Sequence, residues 1–131
     1  MVIFIDTSAI LPLLNESDPD HLPASDALRR HLDTARFVTS NYVVLETVTL
    51  LQRRFGIRAV RLFSERLLPI IEVIWIDAAR HDQAVARLLA SRSRRVSLVD
   101  RVSIDLMREL GAGVAFTYDA DFHREGFATL D

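Results

Sequence analysis

Short apolar runs rich in β-branched residues recur along this chain, each followed by one or two stretches of helical period. The runs are Val2–Ile5 and residues 36–39, 71–76 and 114–117. A continuous apolar run, without polar alternation, marks a strand buried on both faces, and such strands belong to parallel sheets covered by helices on either side. The alternation therefore predicts an α/β three-layer sandwich. Its centre is a mainly parallel sheet of four to five strands, with residues 126–130 as a short edge strand.

Local signals place the helices between these runs. Asp6-Thr7-Ser8 ends the first strand and caps a helix over residues 9–14. Residues 15–23, with two prolines, read as a polar loop before a helix over residues 25–34. Ser40-Asn41 offers a cap for a strongly periodic helix over residues 42–54. Phe55-Gly56 breaks that helix, residues 57–68 form the next, and Pro69 stops it. Asp77 caps a helix running to Ala90. Residues 91–95 form a basic loop, and Leu98–Leu110 is a helix ended by Gly111. Trp75 is expected in the core, since its strand is otherwise Ile and Val.

Bulk composition narrows the class. A chain of 131 residues, half of them hydrophobic, fits one domain over residues 1–131 with a packed core. There is no Cys, which excludes disulfides, zinc–thiolate sites and thiol nucleophiles. All 16 Lys and Arg residues are Arg, the better fork for phosphate. No apolar run approaches the roughly 20 residues of a membrane span, and the N-terminal residues lack a basic leader region. A cytoplasmic protein with no membrane association is expected.

Four carboxylates interrupt or close apolar runs: Asp6, Glu46, Asp100 and Asp119. An ionised carboxylate beside a core is costly unless something pairs it. Ligands of parallel sheets bind at the carboxyl ends of the strands. Asp6 and Asp119 follow strand ends, Glu46 lies one turn into a helix after a strand, and Asp100 lies near a helix start. All four can reach one edge of the sheet, and the simplest shared partner is a divalent cation. Oxygen donors suit Mg²⁺ or Mn²⁺, which polarise phosphate and acidify bound water. Taken singly, each acid could instead be a helix cap, a dipole partner or half of an ion pair.

The acids sit in recognisable segments: D-T-S-A-I-L from Asp6, V-L-E-T with Glu46, S-L-V-D ending at Asp100, and T-Y-D-A-D-F from Thr117 to Phe122. In this order and context the chain resembles the PIN-domain ribonucleases, and among them the VapC-type toxins of type II toxin–antitoxin systems. The match runs along essentially the whole chain. Arg101 departs from it, since a small residue commonly follows the helix-borne Asp. The resemblance implies a PIN-like sandwich and Mg²⁺-dependent endoribonuclease activity, with Mn²⁺ as an alternative ion. It also implies an RNA substrate, a cognate antitoxin protein and a homodimer.

Roles follow from that resemblance and from metal-ion chemistry. Asp6, Asp100 and Asp119 form the primary metal site; Glu46 completes it through water or a second ion. Asp121 is an accessory acid, or a solvated loop residue. Thr7, Ser8 and Thr117 have hydroxyls placed to orient the ligands or touch a phosphate, or serve as ordinary caps and turns. Arg53, Arg54, Arg58 and Arg61, and separately Arg92, Arg94 and Arg95, are either solvated surface or contacts for an RNA backbone. The apolar faces between Tyr42 and Leu68 suit a dimer or an antitoxin helix as well as core. A haloacid-dehalogenase-like phosphatase would need an Asp where Ser8 stands. A non-catalytic RNA-binding or scaffold domain of the same fold is the remaining alternative.

Overall fold

The computed structural model describes residues 1–130; Asp131, the last residue of the expected domain, lies outside them. Five strands form one sheet in the order β3-β2-β1-β4-β5: β1 (Val2–Ile5), β2 (Arg36–Ser40), β3 (Glu72–Ile74), β4 (Val114–Phe116) and β5 (Ala128–Thr129). Every pairing is parallel. The helices are α1 (Thr7–Leu14), α2 (His21–His31), α3 (Asn41–Phe55), α4 (Ile57–Leu62), α5 (Ala78–Ser91), α6 (Leu98–Leu110) and the single turn α7 (Asp121–Arg124).

The core forms where the apolar runs predict it. Ile3, Phe4 and Ile5 are fully buried, as are Val38, Ala115 and Phe116 on the neighbouring strands. Phe63, Leu51, Ile104 and Met107 close over them from the helices. Side-chain caps start the helices: Ser40 accepts from Val43 N–H at 3.2 Å and Asp77 from Arg80 N–H at 2.9 Å. Gly111 ends α6 in the left-handed region at φ 67°, a conformation glycine adopts without strain.

Element ends shift by a few residues, with α1 starting at Thr7, α2 ending at His31 and β3 confined to Glu72–Ile74, and three further differences have a clear physical cause. Helix α2 begins at His21, not Ser25, because Pro23 falls in its first turn, where a backbone N–H has no intrahelical partner to lose. The segment expected as one helix over residues 57–68 divides into α4, a π-helical turn at Phe63–Leu67 and a 3-10 turn at Leu68–Ile70. The wider turn buries both Phe63 and Leu67. Trp75 is 74% exposed: β3 ends at Ile74 on the sheet's edge, so Trp75 has no neighbouring strand to cover it. Among the described residues, no helix is long and apolar enough to cross a membrane.

Candidate active site

The strand order reverses direction at β1. Strands β2 and β3 continue to one side of it, β4 and β5 to the other. Crossover helices therefore diverge above the β1–β4 boundary, and the crevice at the carboxyl ends of these strands is where open parallel sheets bind ligands. Ile5 pairs with Phe116, and Asp6 N–H donates to Phe116 C=O at 3.0 Å, so Asp6 and Thr117 emerge side by side although 111 residues separate them.

Asp6 is 4% exposed and anchored by one oxygen. Its Oδ2 accepts from Ser8 Oγ–H at 2.9 Å, from Thr117 Oγ1–H at 3.1 Å and from Ser8 N–H at 3.4 Å. Each hydroxyl has one proton. With both given to Asp6, the Ser8 and Thr117 oxygens, 3.0 Å apart, use lone pairs to accept from Tyr118 N–H at 2.9 Å and Asp119 N–H at 3.0 Å. Two hydroxyls thereby tie the first acid to the backbone that carries the fourth. Oδ1 takes none of these bonds. Burial pushes the Asp6 carboxyl above the usual range, the Ser8 and Thr117 hydrogen bonds pull it back, and the nearby Glu46 charge adds to the rise.

Asp100 lies in the first turn of α6, the helix that leads into β4. A helix entering a parallel strand starts at the sheet's carboxyl edge, so this turn sits over the same crevice. Ser97 caps it, accepting from Asp100 N–H at 3.2 Å. The Asp100 carboxyl is pushed up to about 7, first by burial and then by the charges of Asp6, Asp119 and Glu46. Asp100 thus feels the other three acids, and Asp6 feels Glu46. Glu46 on α3 is positioned by its neighbour Thr47, which is fully buried and donates to Thr7 Oγ1 at 3.2 Å. Thr7 therefore joins α1 to α3 beside Glu46.

The ligand atoms of Asp100, Asp119 and Asp121 lie within 4.8 Å of one another. Asp121 is 5% exposed, which overturns its reading as a solvated loop residue. Its Oδ1 accepts from Arg124 Nη1–H at 2.6 Å and forms an ion pair with Arg95 Nε at 3.2 Å. Sequence reading missed Thr47 and Arg124. The helical spacing of Arg124 from Asp121 was available as a signal; nothing local marks Thr47. Of the arginine groups, Arg95 reaches the cluster, whereas Arg53, Arg54 and Arg58 are exposed and Arg61 pairs with Glu65 at 3.7 Å. His123 is exposed and its Nε2 shares a hydrogen bond with Thr129.

The donor set fits a hard divalent cation. It consists of carboxylate and hydroxyl oxygens, without the imidazole and thiolate ligands that zinc prefers. Burial first, and then the charges of Asp6, Asp119 and Glu46, raise the Asp100 carboxyl, and a cation bound among these oxygens would favour its ionised form.

Known proteins share this fold. The PIN domain family model matches residues 3–128. The 23S rRNA-specific endonuclease VapC20 of Mycobacterium tuberculosis is 36% identical over 130 residues, covering 98% of each chain. Ribonuclease VapC26 of the same organism is 27% identical over 118 residues, 89% of this chain and 86% of its own. The crystal structure of VapC20, described as a sarcin-ricin loop cleaving toxin, superposes with a TM-score of 0.81 over 96% of each chain. VapBC2 of Rickettsia felis, bound to a DNA fragment from its promoter, shares the fold at 13% identity, with a TM-score of 0.74 over the full length of both chains. From its buried first strand to its last acidic segment, this chain belongs to the PIN domain family.

Proposed function

We propose that this protein is a divalent-metal-dependent endoribonuclease and the toxin of a toxin–antitoxin pair. The observation that carries the reading is that Asp6, Glu46 and Asp119, drawn from distant segments to the switch point of the sheet, all act on Asp100, whose ligand oxygen lies within 4.8 Å of that of Asp119. Asp6, Asp100 and Asp119 hold the cation, Mg²⁺ or alternatively Mn²⁺. Glu46 completes the site through water or a second ion and orients the attacking water. When bound, the cation supplies a Lewis acid for the phosphate and lowers the pKa of water.

The remaining work belongs to the chain itself. Ser8 and Thr117 fix Asp6 through Oδ2 and leave Oδ1 for ligation. The Thr7–Thr47 contact holds the turn of α3 that carries Glu46. Ser97 holds the turn that carries Asp100.

The 36% identity to a 23S rRNA-specific endonuclease makes the sarcin-ricin loop of that RNA the first substrate to offer. A VapBC2 neighbour in structure supports a cognate antitoxin as partner; a cytoplasmic homodimer is the setting that the family resemblance implies. The test is cleavage of labelled RNA in Mg²⁺ by the wild-type protein and by Asp6→Asn. Cleavage should vanish with EDTA, and the substitution should lower the rate at least about a hundredfold, the usual scale for a group acting on reacting charge. Equal rates for the two proteins, or cleavage indifferent to EDTA, would sink the proposal.

A further inference from the structure

Asp121 is buried beside the other acids yet shared by two guanidinium groups on a single oxygen. One arginine would neutralise it. Two exceed what Asp121 alone requires, and both side chains remain open to solvent, 62% exposed for Arg95 and 52% for Arg124. We propose that Arg95 and Arg124, anchored by Asp121, bind the backbone phosphate of single-stranded RNA next to the scissile bond, a role that rests on the ribonuclease function proposed above.

Three observations support this assignment. Each arginine contacts Asp121 through one nitrogen in the recorded ion pairs, Nε of Arg95 and Nη1 of Arg124. Guanidinium has five N–H donors, so both groups have donors left for phosphate oxygens. Secondly, Arg95 stands on a built loop: its N–H donates to Ser93 Oγ at 3.2 Å, Val96 is 5% exposed in the core, and Ser97 caps α6. Ordering in advance lowers the entropy lost on binding. Thirdly, Arg36–Glu72 and Arg80–Glu109 are one-to-one pairs at 2.6 and 2.7 Å, and in the other two-to-one pairing, Arg101 and Arg108 on Glu125, Arg101 is only 17% exposed, so that only at Asp121 among these pairs are two arginines on one acid both open to solvent by half or more.

Charge logic requires such a group. With Asp121 paired, Asp6, Glu46, Asp100 and Asp119 remain to repel a phosphodiester, and a single divalent cation offsets only two of their charges. Two arginines at the rim bring the backbone in without occupying the oxygens needed for ligation. On this view Asp121 serves as the anchor of the arginines rather than as a metal ligand.

The test uses the intact chain and a labelled single-stranded RNA containing the cleaved sequence. Affinity is measured in EDTA across a salt series, and cleavage kinetics in Mg²⁺, for Arg95→Gln, Arg124→Gln, the double variant and both Lys variants. Arg36→Gln is the control, since Arg36 opens β2 at the opposite end of the strands from Asp6. Each Gln variant should weaken binding about tenfold, the scale of a charge-assisted hydrogen bond. The slope of log affinity against log salt should become shallower by about 0.7 per arginine. KM should rise with kcat within about twofold, and the Lys variants should recover the slope but only part of the affinity. Arg36→Gln should change none of these. A double Gln variant with wild-type affinity, slope and KM, in a protein that does cleave RNA, overturns the clamp and leaves the nuclease. Arginine-dependent binding by a wild-type protein that cleaves nothing does the reverse. A wild-type protein that binds no RNA overturns both.

Discussion

At the scale of single residues, Asp6 shows how a buried acid is kept usable. Burial favours its protonated form; the hydroxyls of Ser8 and Thr117 favour the ionised one. Removing a hydroxyl should shift that balance. In Thr117→Val, Oδ2 of Asp6 loses a donor and Asp119 N–H loses its acceptor. The Asp6 carboxyl should titrate higher, so the acid limb of the pH–rate profile should move to higher pH, with activity falling more at pH 6 than at pH 8. The stability cost should be about 1.5–3 kcal/mol, the range for hydrogen bonds to charged groups. Thr117→Ser keeps the hydroxyl and should keep the profile. Matching profiles for the Val variant and wild type would show that Thr117 only fills space.

At the scale of elements, helix starts position the acids of the proposed site. Ser97 caps the turn that bears Asp100, so Ser97→Ala should cost about 1 kcal/mol in stability and lower kcat by loosening that turn. Thermal melting and steady-state rates measure the two effects; an unchanged kcat would mean that packing alone positions Asp100. Such caps were readable in advance because they are local. Asp6, Ser40 and Asp77 each precede a periodic run, and each caps the helix expected there. Likewise β1, all apolar and followed by Asp6, could be read as a buried strand ending at the site. What could not be read depends on distant partners. The π turn at Phe63–Leu67 answers to core packing, and Trp75 is exposed because β3 lies at an edge, which follows from strand order rather than from local pattern. The Arg95–Asp121 pair joins segments on either side of α6 and β4, so no spacing rule points to it.

For the molecule as a whole, the order β3-β2-β1-β4-β5 brings acids scattered from residue 6 to residue 119 to one edge of the sheet, and the proposed site there should couple folding to protons and to a cation. The sign follows from Asp100. Its carboxyl binds a proton more tightly folded, at about 7, than unfolded, at 3.8. Folding is therefore favoured below the lower value, and stability falls as pH rises between the two. In EDTA the melting temperature should drop across this window, and Asp100→Asn should flatten the drop. A cation reverses the preference, because it favours the ionised carboxylates. At a hundredfold excess over its Kd it adds about 2.7 kcal/mol. Since protonation competes with ligation, the stabilisation by Mg²⁺ or Mn²⁺ should be larger at pH 8 than at pH 6, and binding below about pH 7 should release protons. Melting curves with and without the ion, and calorimetry in two buffers of different ionisation heat, measure both effects. A cation effect independent of pH, with no proton released, would mean that the ion binds away from Asp100 and that the cluster at the switch point is not its site.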